Sequence, residues 1–397
     1  MSIAEKPEIV FVLPDILGGV ASLNKNIINN TSLRSQAYVK VILVRKDDWS
    51  HPSITDQFNA DEVVHFRYGN HENIYAVLKR LNKTFGTKHG AIFCNEKLEM
   101  ESICVYGTNK TVYQFIHDFY NIKLAVRFGK ATNVYVTHTN LFKEVLQSAD
   151  PEHIHAFCLP HGVNIPDNVA PQISSNHLKI VFAGRLVESK GVQDLFAIDA
   201  ILKKAGVYVE WTIIGKGPMK ESLEAQWKDS ENIQFASPDT NEEVMALMSR
   251  HDIFILPSRF EGAPVTILEA MAAGIAPVVS DLPGGIREIV HEKAGRRVPV
   301  GDCGAFAETI MALHKNREML LALRTHARQL AVEKFNIKIT ADNYFKLLLE
   351  FSSFKDDVHR ISSTVDPIGF MLDRKWLPNP LVSFIRKLKD EIAPPSN

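Results

Sequence analysis

Short β-branched apolar runs alternate with amphipathic helical patterns along nearly the whole chain. In the first half the strand candidates are EIVFVLP (8–14), YVKVILV (38–44), VVHFR (63–67), AIFC (91–94), TVYQFIH (111–117), VYVTH (134–138) and HIHAFCLP (153–160). The second half repeats the pattern with LKIVFAG (178–184), VEWTIIG (209–215), IQFAS (233–237), DIFILPS (252–258) and APVVSD (276–281). Amphipathic stretches at 190–205, 241–250 and 302–316 fall between or after these runs. Strand–helix alternation predicts parallel sheets covered by helices, an α/β architecture. Between the halves, NIPDNVAPQISSNH (164–177) is rich in Pro, Asn and Ser, the composition of an interdomain linker. The expected layout is one domain over 1–165, a second over 166–355, and a helical segment over 356–397 that crosses back to the first.

Length changes this picture little. A chain of 397 residues exceeds one ordinary core, and two domains of about 150–200 residues are expected. With 45% hydrophobic and 23% charged residues, the chain falls in the soluble globular class. The formal net charge of −1 provides no global field favouring nucleic acid, so no such partner is expected. Cys94, Cys104, Cys158 and Cys303 form no C-x-x-C pair, which suits a reducing cytoplasm. Pro14 and Asp15 interrupt the N-terminal apolar run after a few residues, so neither a signal peptide nor a membrane span is expected there.

Parallel-sheet domains bind ligands at the carboxyl ends of their strands, so the informative residues should follow the strands. After IVFAG comes RLVESKG, which places Arg185 and Lys190 around a strand-to-helix turn. Two cations there suit an anionic ligand, and Arg can fork onto phosphate oxygens; a solvated loop with two ordinary charges is the plain alternative. After VEWTIIG, Gly215 and Gly217 permit a tight turn close to a ligand. Lys220 stands where a dinucleotide fingerprint would have its third glycine, which argues against NAD.

The segment EGAPVTILEAMAAG (261–274) puts Glu261 in a turn and Glu269 inside an otherwise apolar helix. Pro264 suits a first helical residue, and the unpaired amides of Val265 and Thr266, with the helix dipole, form an anion site. Glu269 follows Pro264 by five residues, roughly 7.5 Å along the axis. An elongated ligand with its diphosphate at the helix start would touch one carboxylate at each end, and its hydroxyls would satisfy a buried Glu269. The alternative is that Glu269 pairs with a nearby Arg or Lys.

Taken together, FAGRLVESKG, IIGKGP, DIFILPSRFEGAPVTILEAMAAGIAPVVSDLPGGIREIV and GRRVPVGD resemble, in order and spacing, glycosyltransferase family 4. The resemblance covers about residues 170–350, with Glu261 and Glu269 as the family's E-x7-E motif. In the first half LPDILGGVASLNKNI is similar to the family's glycine-rich first loop, TVYQFIHD to the strand ending in its active-site histidine, and CLPHGVN to its entry into the second domain. The resemblance implies a GT-B fold, two Rossmann-like parallel-sheet domains facing a deep interdomain cleft. It implies a metal-independent retaining transfer from a nucleotide-diphosphate sugar to a carbohydrate, lipid or small-molecule acceptor in polysaccharide biosynthesis. The first domain would be the acceptor side and the second the donor side. Arg185 and Lys190 would bind the donor diphosphate, Glu269 the nucleotide ribose and Glu261 hydroxyls of the transferred sugar. Gly19 would approach the phosphates, and His117 would sit beside the sugar. A structural histidine at a strand end is the alternative for His117. The chain departs from the pattern at His161, where Asn is usual, and in IQFASPDT, which lacks an expected glycine.

His153, His155, Cys158 and His161 lie within nine residues, and a zinc site is conceivable there, but no second ligand cluster accompanies them. No D-x-D occurs, so no metal and no cofactor is expected. Two rivals remain: a sugar-nucleotide epimerase, which should show first-domain acid/base carboxylates in place of E-x7-E, and a catalytically silent partner subunit, which should have lost Arg185, Lys190 or Glu261. The basic C-terminal segment with Trp376, Phe384 and Ile385 could touch the inner face of a membrane as a peripheral contact. A crossover helix packed on the first domain is its commoner explanation.

Overall fold

The computed structural model describes residues 6–16, 18–54, 58–117, 119–151, 155–167, 171, 177–238, 240–357 and 372–392. His153 and much of the expected linker, 168–170 and 172–176, lie outside the described residues. The chain forms two compact units. One comprises the residues up to His138, Phe142–Leu159 and those from Ala341 onward; the other comprises Thr139–Leu141 and Pro160–Thr340.

Among the described residues, the first unit holds β1 (Glu8–Pro14), β2 (Tyr38–Lys46), β3 (Glu62–Tyr68), β4 (Gly90–Cys94), β5 (Thr111–Ile116), β6 (Val134–Thr137) and β7 (Ala156–Cys158). They form one parallel sheet in the order β3-β2-β1-β4-β5-β6-β7. The apolar runs are nearly continuous because both faces are covered. Ile9, Phe11 and Leu13 pack on one face with Val39, Val41 and Leu43. Val10 and Val12 pack on the other with Ile42 and Val44, as the two-residue period of a strand requires.

The second unit repeats the plan. Its strands are β8 (Leu178–Ala183), β9 (Val209–Ile214), β10 (Ile233–Ala236), β11 (Ile253–Leu256), β12 (Ala276–Ser280) and β13 (Arg296–Val298). Their order is β10-β9-β8-β11-β12-β13, again all parallel. The short edge strand β13 was not among the sequence candidates, because Arg296 and Arg297 mask it. In both sheets the winding reverses between the first and fourth strands, β1/β4 and β8/β11. The loops leaving those strands diverge there and open a crevice.

The helix Ile337–Leu349 carries the chain into the first unit's core through Tyr344, Phe345 and Leu348, and Tyr113 Oη donates to Leu347 O at 2.8 Å. The final helix, Asn379–Ile392, buries Val382. Just before it, Asp373 accepts from the Ile74 amide at 2.8 Å, and Asn73 Nδ2 donates to Arg374 O and Leu377 O at 2.9 and 2.7 Å. No helix among the described residues is long and apolar enough to cross a membrane.

Candidate active site

In the second unit, three loops after strands are stitched together by their backbones. Leu186 N donates to Lys216 O at 2.9 Å, Met219 N to Leu186 O at 3.1 Å, and Arg259 N to Ser189 O at 2.8 Å. Gly215 and Gly217 are needed for this approach: a Cβ on either would overlap the backbone at Gly184 or Leu186. Gly191 adopts φ +71°, and its α-carbon lies against Pro257 O, the first residue after β11. The two glycines of the second loop therefore let these loops pack this closely.

This stitching gathers charge at the β8/β11 reversal. Lys190 Nζ donates to both Glu261 oxygens at 2.7 Å, and buried Ser258 donates its Oγ–H to Glu261 Oε1 at 2.6 Å. The Glu261 side chain is only 5% exposed, against 22% for Lys190. Two residues assigned by resemblance to different parts of a donor thus hold each other. Arg185 is exposed, and its guanidinium has no hydrogen bond or ion pair among the described residues. Its charge is available to an anion.

The helix begins at Val265, not at Pro264. Pro264 has ψ 101°, outside the helical range, and acts as the N-cap without a side-chain hydrogen bond. The first-turn amides of Val265 and Thr266 precede any intrahelical partner, so they and the dipole point positive potential outward from the turn that holds Glu261. Further along this helix, Glu269 is half-buried between Leu268 and Ala270. Burial raises its pKa, and a hydrogen bond from Asn241 opposes the rise. No Lys or Arg pairs with Glu269 among the described residues, so the ion-pair alternative has no partner there.

The first unit's reversal carries a different set. Gly19 opens the helix Gly19–Asn30 after β1, with open space where a side chain would project. His117 follows β5; its amide donates to Asn121 Oδ1 at 3.1 Å, and its Nε2 lies 3.0 Å from Asn95 Oδ1. Asn95, just past β4, also accepts from Asn24 Nδ2 at 3.1 Å and donates to Val12 O at 2.8 Å. Its amide donates to Glu99 Oε1 at 2.8 Å. Because Asn95 Oδ1 only accepts, the imidazole proton sits on Nε2. Glu99 is 2% exposed, and burial pushes its pKa up to about 6 against three backbone N–H groups that lower it. The His117 ring packs 4.4 Å from Phe115, which also meets His138 at 4.3 Å, and the two imidazoles lie 5.6 Å apart.

Asn95, Glu99, Asn24, Ser258 and Asn241 were not among the sequence candidates. Asn95 and Ser258 each end a strand run, so the strand-end rule could have found them. Of the histidine–cysteine stretch, His155 stacks against Phe354 at 4.9 Å, and burial lowers the pKa of His161 to about 4. Among the described residues no group of three or more His, Cys, Asp or Glu could hold a metal ion.

Residues 167–330, within the second unit, match the family model Glycosyl transferases group 1. Among curated relatives, the chain is 32% identical over 169 residues to the amylovoran biosynthesis glycosyltransferase AmsK of Erwinia amylovora, covering 40% of this chain and 41% of that one. It is 29% identical over 168 residues to the N,N'-diacetylbacillosaminyl-diphospho-undecaprenol alpha-1,3-N-acetylgalactosaminyltransferase of Campylobacter jejuni, covering 42% and 43%. The chain thus spans less than half the length of these relatives. Among solved structures, Anabaena Alr3699/HepE in complex with UDP and glucose superposes with a TM-score of 0.68 at 15% identity, over 87% of this chain and 99% of that one. Sucrose-phosphate synthase from Thermosynechococcus elongatus gives 0.70 at 17% identity, over 88% and 100%. The fold is that of GT-B glycosyltransferases, two Rossmann-like parallel-sheet domains.

Proposed function

We propose that the protein is a retaining, metal-independent glycosyltransferase of family 4 type, which moves a sugar from a nucleotide-diphosphate sugar to an acceptor hydroxyl in polysaccharide biosynthesis. The observation that carries this reading is the β8/β11 reversal, where an unpaired Arg185, the Lys190–Glu261 pair and the amides of Val265 and Thr266 gather at one set of loops. In this reading the donor diphosphate lies against the helix start and Arg185, which offset the charge that develops on the leaving group. Glu269 accepts from ribose hydroxyls, which stabilise its buried carboxylate. Glu261, fixed by Lys190 and Ser258, accepts from hydroxyls of the transferred sugar. In this reading Glu261, held by Lys190 and Ser258, serves binding and is not a covalent nucleophile, so the acceptor attacks from the face of the leaving phosphate and the product keeps the donor's anomeric configuration.

The test is a melting-temperature panel of UDP, GDP, ADP and their sugars, with EDTA in excess. A ligand at about 100 times its dissociation constant stabilises by about 2.7 kcal/mol, which should raise the second unit's transition by several degrees. One nucleoside diphosphate should do so without metal. If none does, and none does after magnesium is added, the donor assignment is wrong.

A further inference from the structure

A cavity of about 520 Å³ lies in the first unit, at the carboxyl ends of β1, β2 and β3 and beside the start of the helix Lys97–Tyr106. That size is within the roughly 300–1,000 Å³ of small-molecule sites. Its apolar wall is made by Ile16, Trp49, Tyr68, Ile74 and Leu98. Its charged groups are Lys46, Lys97, Glu96, Glu99 and Glu101. The donor reading uses none of these residues.

The charges are not arranged for an anion. Lys46 is already paired with Asp48 at 3.0 Å, and Lys97 with Glu101 at 3.2 Å. Both cations are paired, and the lining carries three carboxylates to two lysines; Glu101 holds Lys97, and Glu99 accepts from the Asn95 and Glu96 amides. The Tyr68 hydroxyl is held protonated, its pKa pushed up to about 12 by burial and by the charges of Asp48, Glu99 and Glu101. A phosphate entering here would meet paired lysines and a negative field. A pyranose would fit better, because its C–H face covers aromatic rings while its rim hydroxyls donate to carboxylates. An amine on that rim would gain a charged partner.

We propose that this cavity seats a sugar ring of the acceptor, a ring that is neutral or amine-bearing and carries no phosphate at the seated residue. The inference rests on the transferase reading for the word acceptor; the binding itself does not depend on it. Of the four tryptophans, Trp49 lines the cavity, Trp211 and Trp227 are 2% and 1% exposed in the second unit, and Trp376 is 77% exposed, so the Trp49→Phe variant decides which of them reports.

The experiment titrates glucosamine, methyl glucoside and glucose 6-phosphate at matched ionic strength, following tryptophan fluorescence. Wild type should respond saturably to the first two, with glucosamine at least about tenfold tighter than glucose 6-phosphate. Trp49→Phe should lose the signal, which assigns it to the cavity. Glu101→Gln, which frees Lys97, should weaken glucosamine and improve glucose 6-phosphate while leaving methyl glucoside unchanged. Equal or tighter binding of glucose 6-phosphate by wild type overturns the proposal, as does a response that survives in Trp49→Phe. Silence to all three rings, while a nucleoside diphosphate still raises the melting temperature, sinks the cavity and spares the transferase. Ring binding without any nucleoside diphosphate effect does the reverse.

Discussion

The two sheets share one strand order and one place where the winding reverses, yet the residues at the two reversals differ in kind. At β8/β11 the loops present Arg185, the Lys190–Glu261 pair and a helix start with unpaired amides. At β1/β4 the residues are Asn24, Asn95, Glu99 and His117, joined in one hydrogen-bonded network. A phosphate needs positive potential, and hydroxyls need acceptors and neutral donors. In the proposed reading, the same backbone plan serves an anion in one unit and hydroxyls in the other, and the difference lies in the loop residues.

The largest effect should come from stripping the charge at β8/β11. A charge-assisted hydrogen bond is worth about 1.5–3 kcal/mol, so Arg185→Ala or Lys190→Ala should slow transfer about 10- to 150-fold. The double variant should show no detectable turnover. Near-full rates in the single variants, measured per folded molecule, would make these cations ordinary surface charges.

Next come the two carboxylates, which should separate in their readouts. Glu269→Ala should weaken free nucleoside diphosphate about tenfold, as expected for losing one hydrogen bond to a charged group. Glu261→Gln should remove most turnover and leave that affinity within about twofold. Equal loss of both properties in Glu261→Gln would put Glu261 on the nucleotide.

At the other reversal, His117→Ala should lower kcat about tenfold while nucleoside diphosphate affinity and melting temperature stay near wild type. Asn95→Ala should lower kcat likewise and also melt lower, because buried Asn95 bonds Val12 O and Asn24. General acid–base or orienting contacts of this kind are worth at least that much. A melting temperature several degrees lower with normal activity per folded molecule would make His117 structural.

The smallest effect is on stability. Glu99 has a folded pKa of about 6, raised by burial from 4.5. The protonated carboxyl therefore favours folding below pH 4.5, and this contribution is lost as pH rises through about 6. At about 1.4 kcal/mol per unit, the loss is about 2 kcal/mol. Glu99→Gln keeps an acceptor for the Asn95 and Glu96 amides and does not titrate. It should melt like wild type below pH 4.5 and a few degrees higher above pH 6. A gap that stays constant across this range contradicts the account of Glu99.

Much of the fold was legible because a parallel strand covered on both faces leaves an unbroken apolar run, as EIVFVLP does for β1. The edge strand β13 lacks that cover and carries two arginines, so nothing in its sequence marked it. Arg185, Lys190, Glu261 and Glu269 stood out because they follow strand runs or interrupt an apolar helix. Their pairing was not legible, since Lys190 and Glu261 are 71 residues apart and meet only because β8 and β11 are neighbours. Asn95 follows a strand run, but its network was not legible: Val12 in β1, Asn24 in the helix Gly19–Asn30 and His117 just past β5 meet it only through the sheet order.

The contrast between the two reversals is tested most directly by calorimetric titration of the preferred nucleoside diphosphate, in excess EDTA, into wild type, Arg185→Ala and His117→Ala. The account predicts metal-free binding by wild type, binding about 10- to 150-fold weaker with Arg185→Ala, and unchanged binding with His117→Ala. Binding that EDTA abolishes and magnesium restores, with Arg185→Ala indistinguishable from wild type, would contradict it.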